Sequence, residues 1–64
     1  MCEFVVYLVD GSDERKEVAR NIVAARRKDG KVLLMDAFGS VTQIENTTIE
    51  EANTFTREMI LKKS

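Results

Sequence analysis

Residues 22–38, IVAARRKDGKVLLMDAF, decide the fold of this 64-residue chain, because two apolar runs flank the dipeptide Asp29-Gly30. Asp-Gly suits a two-residue type I′ turn, in which both central residues have positive φ. The spacing predicts a hairpin with Lys28 opposite Lys31 and Arg26 opposite Leu33. Strand alternation then gives two apolar sets on opposite faces: Ile22, Ala24, Leu33, Met35 and Ala37 on one, and Val23, Ala25, Val32 and Leu34 on the other.

Shorter strands are predicted on both sides of this hairpin. Residues 3–9 are mostly β-branched, aromatic or aliphatic, and Asp10-Gly11 ends the run. Both alternating faces of this segment are apolar, so we expect it to be buried on both sides or covered by a partner subunit. After the hairpin, Gly39 ends the second arm, and residues 40–44 alternate as another short strand.

Two segments fit either a helix or strands. Residues 12–27 place several apolar side chains on one helical face. Residues 48–61 also have a helical period, and Thr48 and Glu51 are spaced as a capping box. Four threonines lie between positions 47 and 56, however, and threonine is a poor helix former. A turn near Thr56-Arg57 would instead give two strands, 48–54 and 58–62.

Composition narrows the possible functions. The net charge is −1, from ten basic and eleven acidic residues, so the global charge does not indicate nucleic acid or a membrane as partner. The chain has one cysteine and no histidine, which leaves neither an intramolecular disulfide nor a structural zinc cluster. The serines have no catalytic partner and the single thiol has no visible base, so we expect a protein that is not an enzyme.

The apolar run at residues 4–9 bears on location. It is far shorter than the roughly 20 residues that a membrane-spanning helix needs. It also follows an acidic residue rather than a basic segment, unlike a signal peptide. We therefore expect a cytoplasmic protein that does not contact a membrane.

Cys2 is the candidate metal ligand, because a thiolate is a soft donor that suits nickel(II), copper(I) or zinc. If Met1 is removed, the α-amine and thiolate of Cys2 can chelate a metal, and the following amide nitrogens can complete a tetragonal set. If Met1 stays, its amine and the Cys2 amide nitrogen can still join the thiolate. Two such arms meeting across a dimer axis would bind more strongly. The alternative is that Cys2 is a small apolar residue leading into the first strand.

The hairpin tip carries the second candidate site. Four basic residues gather there, and a basic hairpin can bind RNA phosphates: Arg26, Arg27, Lys28 and Lys31. The alternative is a solvated turn whose charges protect a sheet edge from aggregation. We favour that alternative, because the tip lacks interleaved aromatic residues on which bases would stack. Most of the aromatic residues are expected in the core: Phe4, Tyr7, Phe38 and Phe55.

Short motifs that follow one another along the chain resemble those of one known family. They are Met1-Cys2 with its apolar strand, Glu17-Val18, Asn21-Ile22-Val23, residues 29–34, Asp36-Ala37-Phe38-Gly39, residues 49–53 and residues 59–62. Their order and spacing resemble the small CooT-type proteins, which are nickel-binding accessory proteins associated with carbon monoxide dehydrogenase maturation. Relatives in that family have also been described as predicted RNA-binding proteins.

The resemblance implies an all-β fold, and it therefore predicts strands rather than helices for both ambiguous segments. It implies one domain over residues 1–64, a small barrel-like antiparallel sheet of about six short strands that forms a homodimer. It also gives Cys2 the role of nickel(II) ligand, with a nickel enzyme as the recipient. An RNA-binding module and a structural dimer without a ligand remain the alternatives. Ala37 stands where the family has a larger apolar residue, and Asn53 stands where it has an acid. Neither difference places a constraint on the function.

Overall fold

The computed structural model describes residues 3–11 and 14–63, and within them it contains six strands and no helix. The strands are β1 (Phe4–Val9), β2 (Lys16–Lys28), β3 (Lys31–Asp36), β4 (Val41–Glu45), β5 (Thr47–Asn53) and β6 (Glu58–Lys63). The all-β prediction is confirmed, and both ambiguous segments form strands. No helix in the described ranges could cross a membrane.

All six strands belong to one sheet with the order β4-β3-β2-β1-β6-β5. Neighbouring strands run antiparallel, except that β1 and β6 are parallel. The edge strands β4 and β5 follow each other in the chain and are separated only by Asn46. One residue cannot bridge a flat six-stranded sheet, so the sheet curls into a half-barrel that brings its two edges together. Asn46 makes this corner at φ 58°, a left-handed conformation that asparagine tolerates.

The long strand β2 produces the curl, because its two halves pair with different neighbours. Its first half pairs with β1, from Lys16 opposite Leu8 to Ile22 opposite Phe4. Its second half pairs with β3 out to the hairpin tip. Register shifts interrupt both ladders around Asn21, whose φ is 59°. Bulges of this kind bend a strand and increase its twist.

The predicted hairpin tip is confirmed in detail. Lys28 lies opposite Lys31, and the two turn residues both have positive φ, 51° at Asp29 and 77° at Gly30. These are the conditions of a type I′ turn, whose twist matches the twist of the strands on either side. The second arm is shorter than predicted, however, because β3 ends at Asp36.

The predicted face of Ile22 is wrong. Simple alternation places Ile22 beside Ala24 and Met35, but a register shift lies between Ile22 and Ala24. Ile22 is therefore opposite Asp36, and its side chain joins the same buried cluster as Leu34. One extra residue in a strand reverses the face of everything beyond it, and the sequence pattern alone does not show where that residue lies.

The core occupies the inner face of the half-barrel. Six buried residues form it: Val6, Ile22, Val32, Leu34, Met59 and Leu61. They come from both halves of the curled sheet, so the core depends on the bend in β2. Each large apolar side chain buried here contributes about 1.5–3 kcal/mol. Within β1 only Val6 is buried and the other residues are half-buried, so the expected burial on both faces is only partial within the monomer.

Thr47 fixes the corner between β4 and β5. It is the one fully buried polar residue in the described ranges. Its hydroxyl donates to the carbonyl of Ile44 at 3.0 Å, and its backbone N–H donates to the carbonyl of Gly30 at 3.1 Å. Because Gly30 lies in the β2–β3 turn, this backbone bond ties that turn to the corner and holds the curl at this end of the sheet.

We predict that Thr47→Val lowers the free energy of unfolding by about 1–2 kcal/mol, because valine keeps the shape but removes the hydroxyl donor. Urea unfolding followed by circular dichroism measures the change. Thr42→Val, at an exposed position of β4, is the control and should change stability by less than about 0.5 kcal/mol. Equal effects at the two positions would contradict the role assigned to the Thr47 hydroxyl.

Candidate functional site

Cys2, the predicted metal ligand, lies outside the described residues, so its role stays a prediction. The neighbouring residues of β1 are held firmly in the sheet. Glu3 is half-buried and leads into β1, which pairs with β2 on one side and β6 on the other. The Val5 N–H donates to the carbonyl of Arg57 at 2.9 Å, just before β6 begins. Within three residues after Cys2, the backbone is therefore paired with a neighbouring strand on each side.

The acidic residues near this end of β1 do not form a metal cluster. Among residues 3–11 and 14–63, no group of three or more histidine, cysteine, aspartate or glutamate side chains could hold a metal ion. Glu58 lies opposite Val5 on β6, and its carboxylate is 3.7 Å from the guanidinium of Arg15. Its charge is therefore already partly compensated by a neighbour.

The predicted RNA-binding residues do not share one surface. Arg26 lies opposite Leu33 and Lys28 opposite Lys31, whereas Arg27 lies opposite Val32. Val32 is fully buried in the core, so alternation puts Arg27 on the inner face and the other three cations on the outer face. The structure thus brings Arg26, Lys28 and Lys31 together and separates Arg27 from them.

The three cations belong to a larger surface, the β2–β3–β4 outer face. The ladder registers arrange it in three rows: Ala24, Met35 and Val41; Arg26, Leu33 and Gln43; Lys28, Lys31 and Glu45. The first row is apolar and the third is charged. An open depression of about 440 Å³ lies on this face, lined by Ala24, Ala25, Arg26, Leu33, Met35 and Val41.

Most of the four aromatic residues were expected in the core, but two of them are almost entirely exposed, Phe38 at 92% and Phe55 at 95%. The prediction that most aromatic residues are in the core is therefore wrong, because each of these two lies in a turn closed by a side chain two residues earlier. An Asp36 carboxylate oxygen accepts from the N–H of Phe38 at 2.9 Å and from that of Ser40 at 3.0 Å. The Asn53 amide oxygen accepts in the same way from the N–H of Phe55 at 2.9 Å.

The sequence does contain a signal for these turns. In both places an Asp or Asn stands two residues before the phenylalanine, and such side chains close turns by accepting backbone N–H groups. Hydrophobicity favours burying a phenylalanine, but the turn fixes the backbone here and leaves the ring exposed. Phe38 thereby extends from the turn that joins the two strands carrying Met35 and Val41.

One surface ion pair on β2 shifts the pKa values of its two members from their ordinary values. The Arg20 guanidinium donates two hydrogen bonds of 2.8 Å to the carboxylate of Glu17. These bonds lower the pKa of Glu17 below its ordinary value and raise the pKa of Arg20. Residues three apart on a regular strand face opposite sides, so the pair exists only because a bulge intervenes. Both side chains are exposed to solvent, and the pair indicates local geometry rather than a site.

Comparison with known structures places this curled sheet in a defined class of small all-β proteins. A crystal structure of a protein provisionally assigned as CooT, from Carboxydothermus hydrogenoformans, has the same fold, with a TM-score of 0.84 over 98% of each chain. The sequence identity is 16%, so this likeness concerns the fold. The family model described as CO dehydrogenase accessory protein CooT matches residues 1–62, and the chain belongs to that family. No curated protein matches it.

We predict that Asp36→Ala lowers the free energy of unfolding by about 1–2 kcal/mol, because two backbone N–H groups lose their acceptor. Asp36→Asn keeps an acceptor oxygen at the same place and should lose less than half as much. Urea unfolding of the two variants beside the parent protein measures both changes. The turn does not depend on this side chain if alanine and asparagine have the same effect.

Proposed function

We propose that this protein is a non-catalytic, cytoplasmic accessory of CO dehydrogenase that binds nickel(II) through Cys2. The observation that carries the proposal is the family match, which covers residues 1–62 and therefore includes Cys2. In a chain with one cysteine and no histidine, Cys2 also provides the one thiolate and hence the softest side-chain donor. RNA binding at the hairpin tip has less support, because Arg27 lies on a different face from the other three cations.

The donors next to Cys2 fit nickel(II). A thiolate together with deprotonated amide or amine nitrogens makes a tetragonal N/S set, which nickel(II) accepts. The N–H of Val5 is already bonded to the carbonyl of Arg57, so the nitrogen donors to the metal would come from residues before Val5. Glu3 adds a carboxylate, a harder donor that suits nickel less well than the thiolate. When bound, the metal would be cargo for delivery rather than a catalytic centre.

We also propose that two copies share the metal. One thiolate per chain makes a weak site, whereas a two-fold axis brings equivalent residues together and would provide two thiolates. A chain of this length gains core by associating with a copy of itself. In β1, every residue except Val6 remains partly accessible in the monomer, which leaves apolar surface for such a contact.

We predict that Cys2→Ser weakens nickel(II) binding at least tenfold, equal to about 1.4 kcal/mol. Titration with nickel(II), followed by the thiolate-to-nickel charge-transfer absorption in the near ultraviolet, measures it, and the variant should lack the band. Binding in the parent should also weaken as the pH falls further below about 8.5, the ordinary pKa of a free thiol, because protons compete for the sulfur. Equal affinity in Cys2→Ser and the parent would falsify the proposal.

A second variant identifies the nitrogen donors. Placing Gly-Ser ahead of Met1 moves the α-amine away from Cys2 and leaves the thiolate and the following amides in place. Weaker binding in this variant assigns the amine as a ligand, and unchanged binding assigns the amides. Circular dichroism of all three proteins checks that the fold is retained.

We predict one nickel ion for every two chains, with occupancy that rises with protein concentration at a fixed ratio of metal to protein. Native mass spectrometry and sedimentation velocity measure the stoichiometry and the size of the complex. A monomer that binds one nickel per chain with the same affinity at all concentrations would rule out a shared site, although Cys2 could still be the ligand.

A further inference from the structure

The charged end of the β2–β3–β4 outer face carries three cations that form no ion pair with any described residue. Within residues 3–11 and 14–63, no carboxylate lies within 4.0 Å of the charged groups of Arg26, Lys28 or Lys31. Glu45 is the single acid in the three rows and lies opposite Lys31. Three cations and one carboxylate give this face a net charge of +2, on a chain whose net charge is −1.

The other end of the same face is apolar and accessible. Met35 is 37% exposed and Val41 is 60% exposed, and both line the open depression together with Arg26. The adjoining turn carries Phe38, and its backbone is fixed by the Asp36 carboxylate. Exposed aromatic and Met side chains beside an Arg are the residue types enriched in protein interfaces.

We propose that the β2–β3–β4 outer face docks an acidic segment of CO dehydrogenase. An apolar side chain of that segment packs on Met35 and Val41, and its carboxylates face Arg26, Lys28 and Lys31. The inference rests on the accessory role proposed above and adds the surface and the partner chemistry to it. Because the turn that carries Phe38 is already ordered, contact with its ring costs little conformational entropy.

Charge and chemistry favour this occupant over two others. RNA phosphates would also attract the cations, but successive bases stack on several aromatic rings, whereas this face has the single exposed ring of Phe38 at its edge and a depression lined by aliphatic side chains and Arg26. A second copy docking face to face would oppose two surfaces of net positive charge, which is unfavourable. An acidic protein segment with an apolar anchor matches both ends of the face.

The test measures binding of the full chain to CO dehydrogenase in its nickel-free form, by biolayer interferometry at 50 and 300 mM NaCl. We expect saturable binding that weakens with salt, since exposed charges are screened. Arg26→Glu combined with Lys28→Glu should weaken binding about tenfold or more, and Met35→Ser should weaken it several-fold. Arg27→Glu is the matched control, one residue away on the opposite face, and should stay within about twofold of the parent.

Four results would overturn the proposal. The first is the absence of saturable binding to the enzyme up to 100 µM. The second is an Arg27→Glu variant that weakens binding as much as the double charge reversal does. The third is a protein that binds a 20-nucleotide uridine oligomer but not the enzyme, with equal dependence on Arg26 and Arg27. The fourth is a Met35→Ser variant that changes the oligomeric state and leaves enzyme binding intact. Circular dichroism of each variant confirms folding, and two independent substitutions, at Met35 and at the cations, keep the test decisive if one variant unfolds.

Nickel titration of the same variants separates this proposal from the proposed function. The double charge reversal should keep the nickel affinity of the parent, and Cys2→Ser should keep the affinity for the enzyme. Intact nickel binding without docking therefore removes only the docking surface. Docking with nickel binding that does not depend on Cys2 removes only the proposed metal ligand.

Discussion

The bend in β2 is the constraint on which the rest of the structure depends. A straight strand of this length would give a flat sheet with its apolar face open to water, and β4 and β5 could not be joined by one residue. The bulges around Asn21 let the two halves of β2 pair with β1 and with β3 in different directions. The core and the corner at Thr47 depend on that bend, because the core takes residues from both sides of it and the corner joins the two sheet edges that it brings together.

Bulges also explain why the sequence resembles a helix in two places. Ala19, Ile22 and Ala25 are three residues apart, and all pack in or against the core. In β5, a register shift between Ile49 and Glu51 puts Ile49 opposite Leu61 and Ala52 opposite Met59, both of which are core residues. The extra residue at a bulge lengthens the spacing between two inward-facing residues from two positions to three. A helix also places residues three positions apart on one face. Local pattern cannot separate the two cases, and the family resemblance was needed.

The parts that were predictable from sequence are those fixed by local chemistry. Asp29-Gly30 defined the tip and its register, and the apolar run from Phe4 defined β1. The face of Ile22 depends on where a bulge falls, which is set by pairing with distant strands. Hydrophobicity favours burial of Phe38, but the turn closed by Asp36 leaves its ring exposed. Of the candidate site, the sequence identified Cys2 and the basic residues, but the division of those residues between two faces required the ladder register.

The topology relates the two proposed sites to each other. Phe4 and Asp36 both lie opposite Ile22, one on each side of β2. The start of β1 and the start of the β3–β4 turn are therefore two strand spacings apart, or about 10 Å. A partner that contacts Phe38 and the outer face would then lie close to the segment that follows Cys2. Metal transfer between proteins requires donor and acceptor ligands to come within bonding distance, and under the two proposals the docked partner would start from about 10 Å away, on the neighbouring strands of the same sheet.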